Sequence, residues 1–466
     1  MEQLFFELIR VALGSQDTLS RVPSSKEWKQ LYDMSKKQSL VGICFAGVQT
    51  LFNFANQASS TNNPQPDSPQ TLAPRTQNLD EDLYFKWMGM AAKVQHRNNV
   101  MNESTQRILA YFREKGYPCQ VLKGQGVAQL YKDPLKSPLK GEDLIDLSKF
   151  RQSGDIDVWL NIKRKELYKL SLDTFGKIEG LTYHHIHYPL YKGVEVEAHV
   201  WPSFLSSPLR NYRFQKFCEI YIPKEVDFDE GRKQWTKTKD ENEGRKTKDE
   251  GRKTKDEERK TKDEGRKTKN EDLSNSSNPS NSSNSSNSSN SSNSSTLPNI
   301  ISPTLAFNRV FILMHCYRHF CGHGVGMRQL MDYYFVLLAS QREETGNWKE
   351  ESMHWIKKLG MEKFARATMW FLHHCMGLDK SCLLCEPHEG YGKALLEEVH
   401  QTGNMGHGDE RVAPRQFKTP LKRYLYNLKR DISLFKICPH EALWDPFFNV
   451  YQYFLCKYYH ARYKKA

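Results

Sequence analysis

The spacing of apolar positions changes along this chain, and each change marks an element. Residues 1–55 read as helices, with Trp28, Leu31, Tyr32, Leu40 and Val41 on a loose helical stripe. Residues 56–80, rich in Gln, Ser, Asn and Pro, read as a flexible loop. A long helical stretch then covers about 81–115 and stops before Gly116-Tyr117-Pro118. Cys119–Leu122 is a short strand. Lys123-Gly124-Gln125-Gly126 turns from it into a helix through Val127, Leu130 and Tyr131, stopped by Asp133-Pro134. Residues 135–150 read as a loop insertion. Ile156–Leu160 alternates with period two, 162–176 returns to a helical pattern, and Leu181–Tyr188 and Val194–Trp201 are strands parted by Lys192-Gly193. Residues 303–466 are helical almost throughout. There Leu421, Tyr424, Leu425, Leu428, Ile432 and Phe435 follow the 3.6 period, with Lys422, Arg423, Lys429 and Arg430 on the other side. The order predicts an α+β protein: a helical N-terminal segment (1–116), a small mixed-sheet core (117–225) and a larger helical C-terminal domain (299–466).

Composition adds a fourth segment. From Arg245 the unit Arg-Lys-Thr-Lys-Asp-Glu-Gly runs four times, with small changes, to Asp272; Ser274–Ser295 is almost wholly Asn and Ser. Neither tract carries enough apolar surface to offset the entropy of ordering it, and no apolar residue sits at coiled-coil positions. Residues 226–298 therefore read as a disordered low-complexity insertion in a surface loop. The net charge is +13. Residues 232–272 hold 16 basic and 12 acidic side chains, residues 411–466 hold 12 and 3, and the remainder is neutral. The basic, tyrosine-rich C-terminus reads first as a solvated helix face, with contact to nucleic acid or an anionic surface as the alternative. The ten cysteines have no framework spacing, which suits a reduced, cytoplasmic protein. Cys382-Leu-Leu-Cys385 lacks a second pair and reads as chance spacing. The acidic residues in the first ten positions argue against a signal peptide, and no apolar run is long enough for a membrane span.

The chemistry concentrates in Gly154-Asp155-Ile156-Asp157-Val158-Trp159. Side chains alternate along a strand, so Asp155 and Asp157 share a face while Ile156 and Val158 take the other. Adjacent carboxylates repel and make a poor core, but they make a good seat for a divalent cation. Glu195, Glu197 and His199 share a face on a second strand. If these strands pair, three or four carboxylates converge. Lys123-Gly124 follows a strand and opens a helix, a place for a phosphate. His315 and His319 lie on one helical face beside Arg318. His185 and His187 fall on one face of their strand and read as surface or packing residues.

Leu122-Lys123-Gly124, Arg151-Gln-Ser-Gly154-Asp155-Ile-Asp157-Val-Trp159 and Val196-Glu197-Ala-His199 together resemble an uncharacterised nucleotidyltransferase family of bacterial genomes, within the DNA polymerase β-like nucleotidyltransferase superfamily. His315-Cys-Tyr-Arg318-His319-Phe, Gly324-Val-Gly326-Met-Arg328-Gln329-Leu-Met-Asp332 and Gly403-Asn404-Met-Gly406-His407-Gly-Asp409 resemble its later signatures. The resemblance implies that Asp155, Asp157 and Glu197 are catalytic and bind Mg²⁺ or Mn²⁺, with Glu195 the rival for the third place. It implies that Lys123, Gly124, Arg151, Gly154 and Arg328 bind the NTP. Arg318, His319, Arg328 and Asp332 either face the cleft from the helical domain, to bind triphosphate or acceptor, or form a buried polar network that fixes helix packing. The expected reaction moves a nucleoside monophosphate from an NTP to an acceptor, releasing pyrophosphate. The acceptor (small molecule, sugar phosphate, protein or RNA) is left open. Lys-Gly stands where the superfamily has Gly-Ser or Gly-Gly. That departure keeps a catalytically silent nucleotide-binding or regulatory protein as the alternative, beside a hydrolase using zinc or manganese at His315 and His319.

Overall fold

The computed structural model describes residues 1–60, 76–132, 145–191, 193–224, 299–322, 324–403, 425, 428, 430–432 and 434–463, with backbone only for 54–60. The expectations for 226–298, for most of 56–80 and 135–150, for the motif beyond Gly403 and for Leu421 and Tyr424 lie outside them. The fold is mixed α+β, with a helical C-terminal region, and its described residues form one compact unit.

Three helices open the chain: α1 (Glu2–Leu13), α2 (Ser25–Lys37) and α3 (Val41–Ser60). Ser24 and Glu27 close a reciprocal capping box that starts α2. Trp28, Leu31, Tyr32, Leu40 and Val41, the loose stripe of the sequence, are all buried. The stretch expected at 81–115 is α4 (Glu81–Glu114), begun by Asp80 accepting from the Asp82 amide. Its 34 residues span about 51 Å. Trp87, Ala91 and Val94 of its first half sit in a large helical core; Met101, Ile108, Leu109 and Phe112 of its second half sit in a smaller core under the sheet. One helix therefore serves both cores.

The sheet contains β1 (Cys119–Val121), β2 (Ile156–Leu160), β3 (His185–His187) and β4 (Val196–His199), in the order β1-β2-β4-β3. β2 runs parallel to β4, and both edges are antiparallel to their neighbours. α5 (Gln125–Ala128) and α6 (Arg164–Phe175) follow β1 and β2. The helix expected through Tyr131 is shorter than its apolar pattern suggests: four residues of α5, then a 3-10 turn over Gln129–Lys132. β3 is shorter than the alternation at 181–188: its ladder with β4 covers His185–His187, and His187 also bridges Glu179.

α7 (Pro208–Ile220) ends the first half of the chain. α8 (Leu305–Cys321), α9 (Met327–Glu343), α10 (Trp348–Leu359), α11 (Glu362–Met376), α12 (Glu389–Thr402) and α13 (Pro439–Tyr463) make up the second. One sheet face, with Val121, Ile156, Val158, Ile186, Val196 and Ala198, is buried in the smaller core. The opposite face turns toward α8, where Trp159 stacks on Phe307 with centroids 5.3 Å apart. The stripe at 421–435 departs from expectation. Leu425, Ile432 and Phe435 are exposed, whereas Arg430 is buried, held by Glu398 at 2.6 Å and the Phe320 carbonyl at 3.0 Å. The inward side of this segment carries Leu434 and Ile437 as well as the Arg430–Glu398 pair.

Candidate functional site

The site is built on the sheet face opposite the smaller core. Alternation along β2 sends Ile156 and Val158 inward and Asp157 the other way, with Asp155 just ahead of the strand. The parallel register sets Asp157 beside Glu197 and Trp159 beside His199. Antiparallel pairing of β3 then sets His187 beside Glu197 and His185 beside His199. Side chains two apart share a face. Acids and imidazoles from three strands therefore meet in one patch. Glu195 lies at its margin, 63% exposed, with His187 Nε2 3.9 Å away.

Charges here are tightly matched. Lys123 Nζ lies 3.2 Å from Asp155 Oδ2 and 3.0 Å from Asp157 Oδ2. The ammonium is the charge partner of both carboxylates, the buried Asp157 Oδ2 included. Burial disfavours the Lys123 ammonium, but the charges of Asp155, Asp157 and Glu197 outweigh it and hold its pKa above the usual lysine range. Burial likewise opposes ionisation of Asp155; the charges of Lys123 and Arg328 overcome it and keep its carboxyl low. Asp157 is sealed in at 1% exposed. Burial and the Asp155 charge push its carboxyl up, against Lys123 and His199. Glu197 is pulled down, its burial outweighed by the hydrogen bond and charge of His199.

His199 holds this group together. Its Nε2 is 3.0 Å from Asp157 Oδ1 and 3.2 Å from Glu197 Oε2, and its Nδ1 is 3.2 Å from the Trp201 carbonyl. Both nitrogens face acceptors, so both N–H groups donate, which requires the imidazolium. Burial opposes that charge, but the bonds to Asp157 and Glu197 carry its pKa up to about 9. His199 thus orients the two carboxylates. Oxygens of Asp157 and Glu197 and a nitrogen of His199 lie within 4.8 Å of one another. Asp157 and Glu197 are the oxygen donors a divalent cation wants; His199, protonated, positions them and is not itself a ligand.

Beside the acids is a polar cavity of about 30 Å³, lined by Lys123, Gly124, Arg151, Gly154, Asp155, His315, His319, Arg328, Gln329 and Asp332. A Cβ on Gly154 would sit 3.3 Å from Arg328 Nη1, so glycine is what lets the guanidinium approach. Gly124 has φ 58° and ψ −113°, a backbone that favours glycine. Arg328 Nη1 donates to the Gln152 carbonyl at 3.0 Å, while its Nε is buried without a partner. Arg151 is clamped to Asp332 through Nε at 2.7 Å and Nη2 at 2.8 Å, and Tyr131 donates to the same carboxylate at 2.6 Å. Arg151 Nη1 is left buried without a partner. His315 and His319 meet through their Nε2 atoms at 3.1 Å. Among the described residues, no third ligand completes a metal-binding group with them. Arg318 points elsewhere, to Ser206, Glu441 and Asp445. An open groove of about 590 Å³ lined by Trp370, His373, Cys385 and Glu389 is larger, but it contains none of the converging acids.

Sequence reasoning brought Asp155, Asp157 and Glu197 to one place, and Gly124, Gly154 and Arg328 to the cavity beside them. It missed the ammonium of Lys123 lying against the acids, and it missed His185 packed against Glu197, 3.1 Å from Nδ1 to Oε2. The alternation of His185 and His187 was the available signal; the register of β3 against β4 was not.

A small mixed sheet thus sets Asp155 and Asp157 at the head of a central strand, with Glu197 in register on the next. Residues 24–226 match the model of a family described as uncharacterised nucleotidyltransferase, which shows the resemblance over that segment and supports a general role in nucleotidyl transfer. No curated protein and no solved structure matches the chain. No described helix is long and apolar enough to cross a membrane.

Proposed function

We propose that this protein transfers a nucleoside monophosphate from an NTP to an acceptor hydroxyl or phosphate and releases pyrophosphate. The observation that carries this reading is the β2–β4 register, which sets Glu197 beside Asp157 with Asp155 at the head of the same strand. Asp155, Asp157 and Glu197 would hold Mg²⁺ or Mn²⁺, which when bound neutralises phosphate charge and favours departure of pyrophosphate. His199 fixes both carboxylates by donating to them. Arg328 Nε and Arg151 Nη1, buried and undirected, supply donors for phosphate oxygens, and Gly124 and Gly154 let those oxygens come close. The cavity itself has room for little more than a water, so base and ribose lie outside it. Because α5 has only four residues, these side chains rather than a helix dipole carry the anion.

The test offers the protein each labelled NTP with Mg²⁺ and a cell extract, and asks which molecule becomes labelled. Asp155→Asn with Asp157→Asn is expected to lose label by at least about 10²-fold, the scale for removing preorganised charge stabilisation. Labelling equal to wild type sinks the assignment.

Lys123 favours a second reading. An ammonium bridging Asp155 and Asp157 already supplies positive charge where a cation would sit, as suits a nucleotide-binding protein without turnover. That protein would bind NTP in a calorimeter and release no pyrophosphate.

A further inference from the structure

The patch extends beyond the acids. His185 and His187, two apart on β3, present both imidazoles to the face that carries Glu197, which is in register with His187. His187 Nε2 is 3.9 Å from Glu197 Oε1 and 3.9 Å from Glu195 Oε1; His185 Nδ1 is 3.1 Å from Glu197 Oε2. One donor atom from each of His185, His187 and Glu197 falls within a sphere in which all are within 4.8 Å of one another. Despite its short approach to Glu197, His185 Nδ1 is buried and aligned with no hydrogen-bond partner. Such a nitrogen is costly unless something else takes its lone pair or proton.

The ring of His187 is also held in place. Gly180 has φ +53°, and a Cβ there would lie 2.2 Å from His187 Cγ. Glycine at 180 is what allows the imidazole to lie flat against the chain with its Nε2 toward Glu195 and Glu197. The backbone bridge between Glu179 and His187 brings Gly180 beside the ring.

We propose that His185, His187 and Glu197 form a second divalent-metal site, distinct in preference from the carboxylate seat and joined to it through Glu197. Two imidazoles and one carboxylate suit a borderline ion such as Zn²⁺, and serve Mg²⁺ poorly because that ion prefers oxygen ligands throughout. Glu195 stands within reach as a further oxygen donor. The sharing of Glu197 rests on the reading of that residue as a catalytic carboxylate; the His185–His187 site does not.

Zn²⁺ titration of the full chain by calorimetry, paired with Co²⁺ substitution followed by visible absorption, tests the site without reference to turnover. Wild type is expected to give a saturable Zn²⁺ isotherm and a Co²⁺ band of imidazole-ligand character. His187→Ala removes a side chain that is 40% exposed and is expected to lose both, with its circular dichroism and melting curve unchanged. Asp155→Asn is expected to keep both. Should the variant lack native circular dichroism, His187→Gln replaces it, with the same loss expected. A wild type that binds no Zn²⁺, or an isotherm and band that survive His187→Ala, overturns the proposal. Absence of NTP labelling with the Zn²⁺ isotherm intact counts against nucleotidyl transfer alone.

Discussion

At the scale of single residues, the chemistry turns on how few charges are left unmatched. Lys123 illustrates both the reach of sequence reading and its limit. Its position after a strand marked it as part of the site, with a phosphate as the expected partner. Its ammonium lies instead between Asp155 and Asp157. Local sequence places a side chain on a turn; only the packing of β1 against β2 decides which neighbour it meets. Asp155 and Asp157 were legible because alternation is local, and Glu197 because it shares that alternation on a second strand. His185 was legible only as a residue of a neighbouring strand: the Lys192-Gly193 turn signals the pairing, but not the register that sets His185 against Glu197. Lys123→Met makes the balance measurable. It leaves neighbouring carboxylates uncompensated, and because Lys123 is 19% and Asp155 30% exposed, the expected cost is about 2–3 kcal/mol, below the range for a fully buried pair. In urea denaturation with chelator the variant should unfold earlier than wild type, and Mg²⁺ should restore more stability to it than to wild type. Equal stability of the two proteins in chelator would show that the ion pair contributes nothing.

Among elements, the joints that aim the site are polar and buried. Asp332 on α9 accepts from Arg151, ahead of β2, and from Tyr131, beyond α5. Asn98 on α4 donates to the carbonyls of Lys149 and Arg151 at 2.8 Å each. The segment that delivers Gly154 and Asp155 is therefore gripped from opposite sides. Existence and order of the helices and strands were readable from apolar period, and α4 came within a residue or two of its expected ends. Lengths of α5 and β3 were not: α5 passes into a 3-10 turn at Gln129, and the ladder of β3 covers three residues. Around Arg430, Leu425, Ile432 and Phe435 are exposed, while Leu434, Ile437 and the Arg430–Glu398 pair face inward, a choice the 3.6 period alone does not make. Asp332→Asn keeps the shape but strands the Arg151 charge at 4% exposure. It should cost about 3–5 kcal/mol, read as a lower melting temperature, and should reduce NTP labelling by more than the loss of folded protein explains. A drop in stability with full labelling per folded molecule would confine Asp332 to holding the fold.

For the molecule as a whole, the helices that open the chain and those that close it share one core. Phe5 and Leu8 of α1 are buried with Phe371 and Leu372 of α11, and Phe6 meets Phe371 edge-on at 6.2 Å. α4 runs through both cores, its first half buried in the large one and its second half in the smaller. A rod fixed at both ends transmits damage: neither core can lose its share of α4 without fraying the support of the other. Heat should therefore find no stepwise route through this protein. Tryptophan fluorescence, dominated by the large core, and hydrogen exchange at β2 and β4 should report the same free energy of opening. Proline at Asn98, midway along the rod, should bring both values down together. If the sheet amides exchange freely while the fluorescence stays native, the hinge lies within α4 after all, and the active face can loosen on its own.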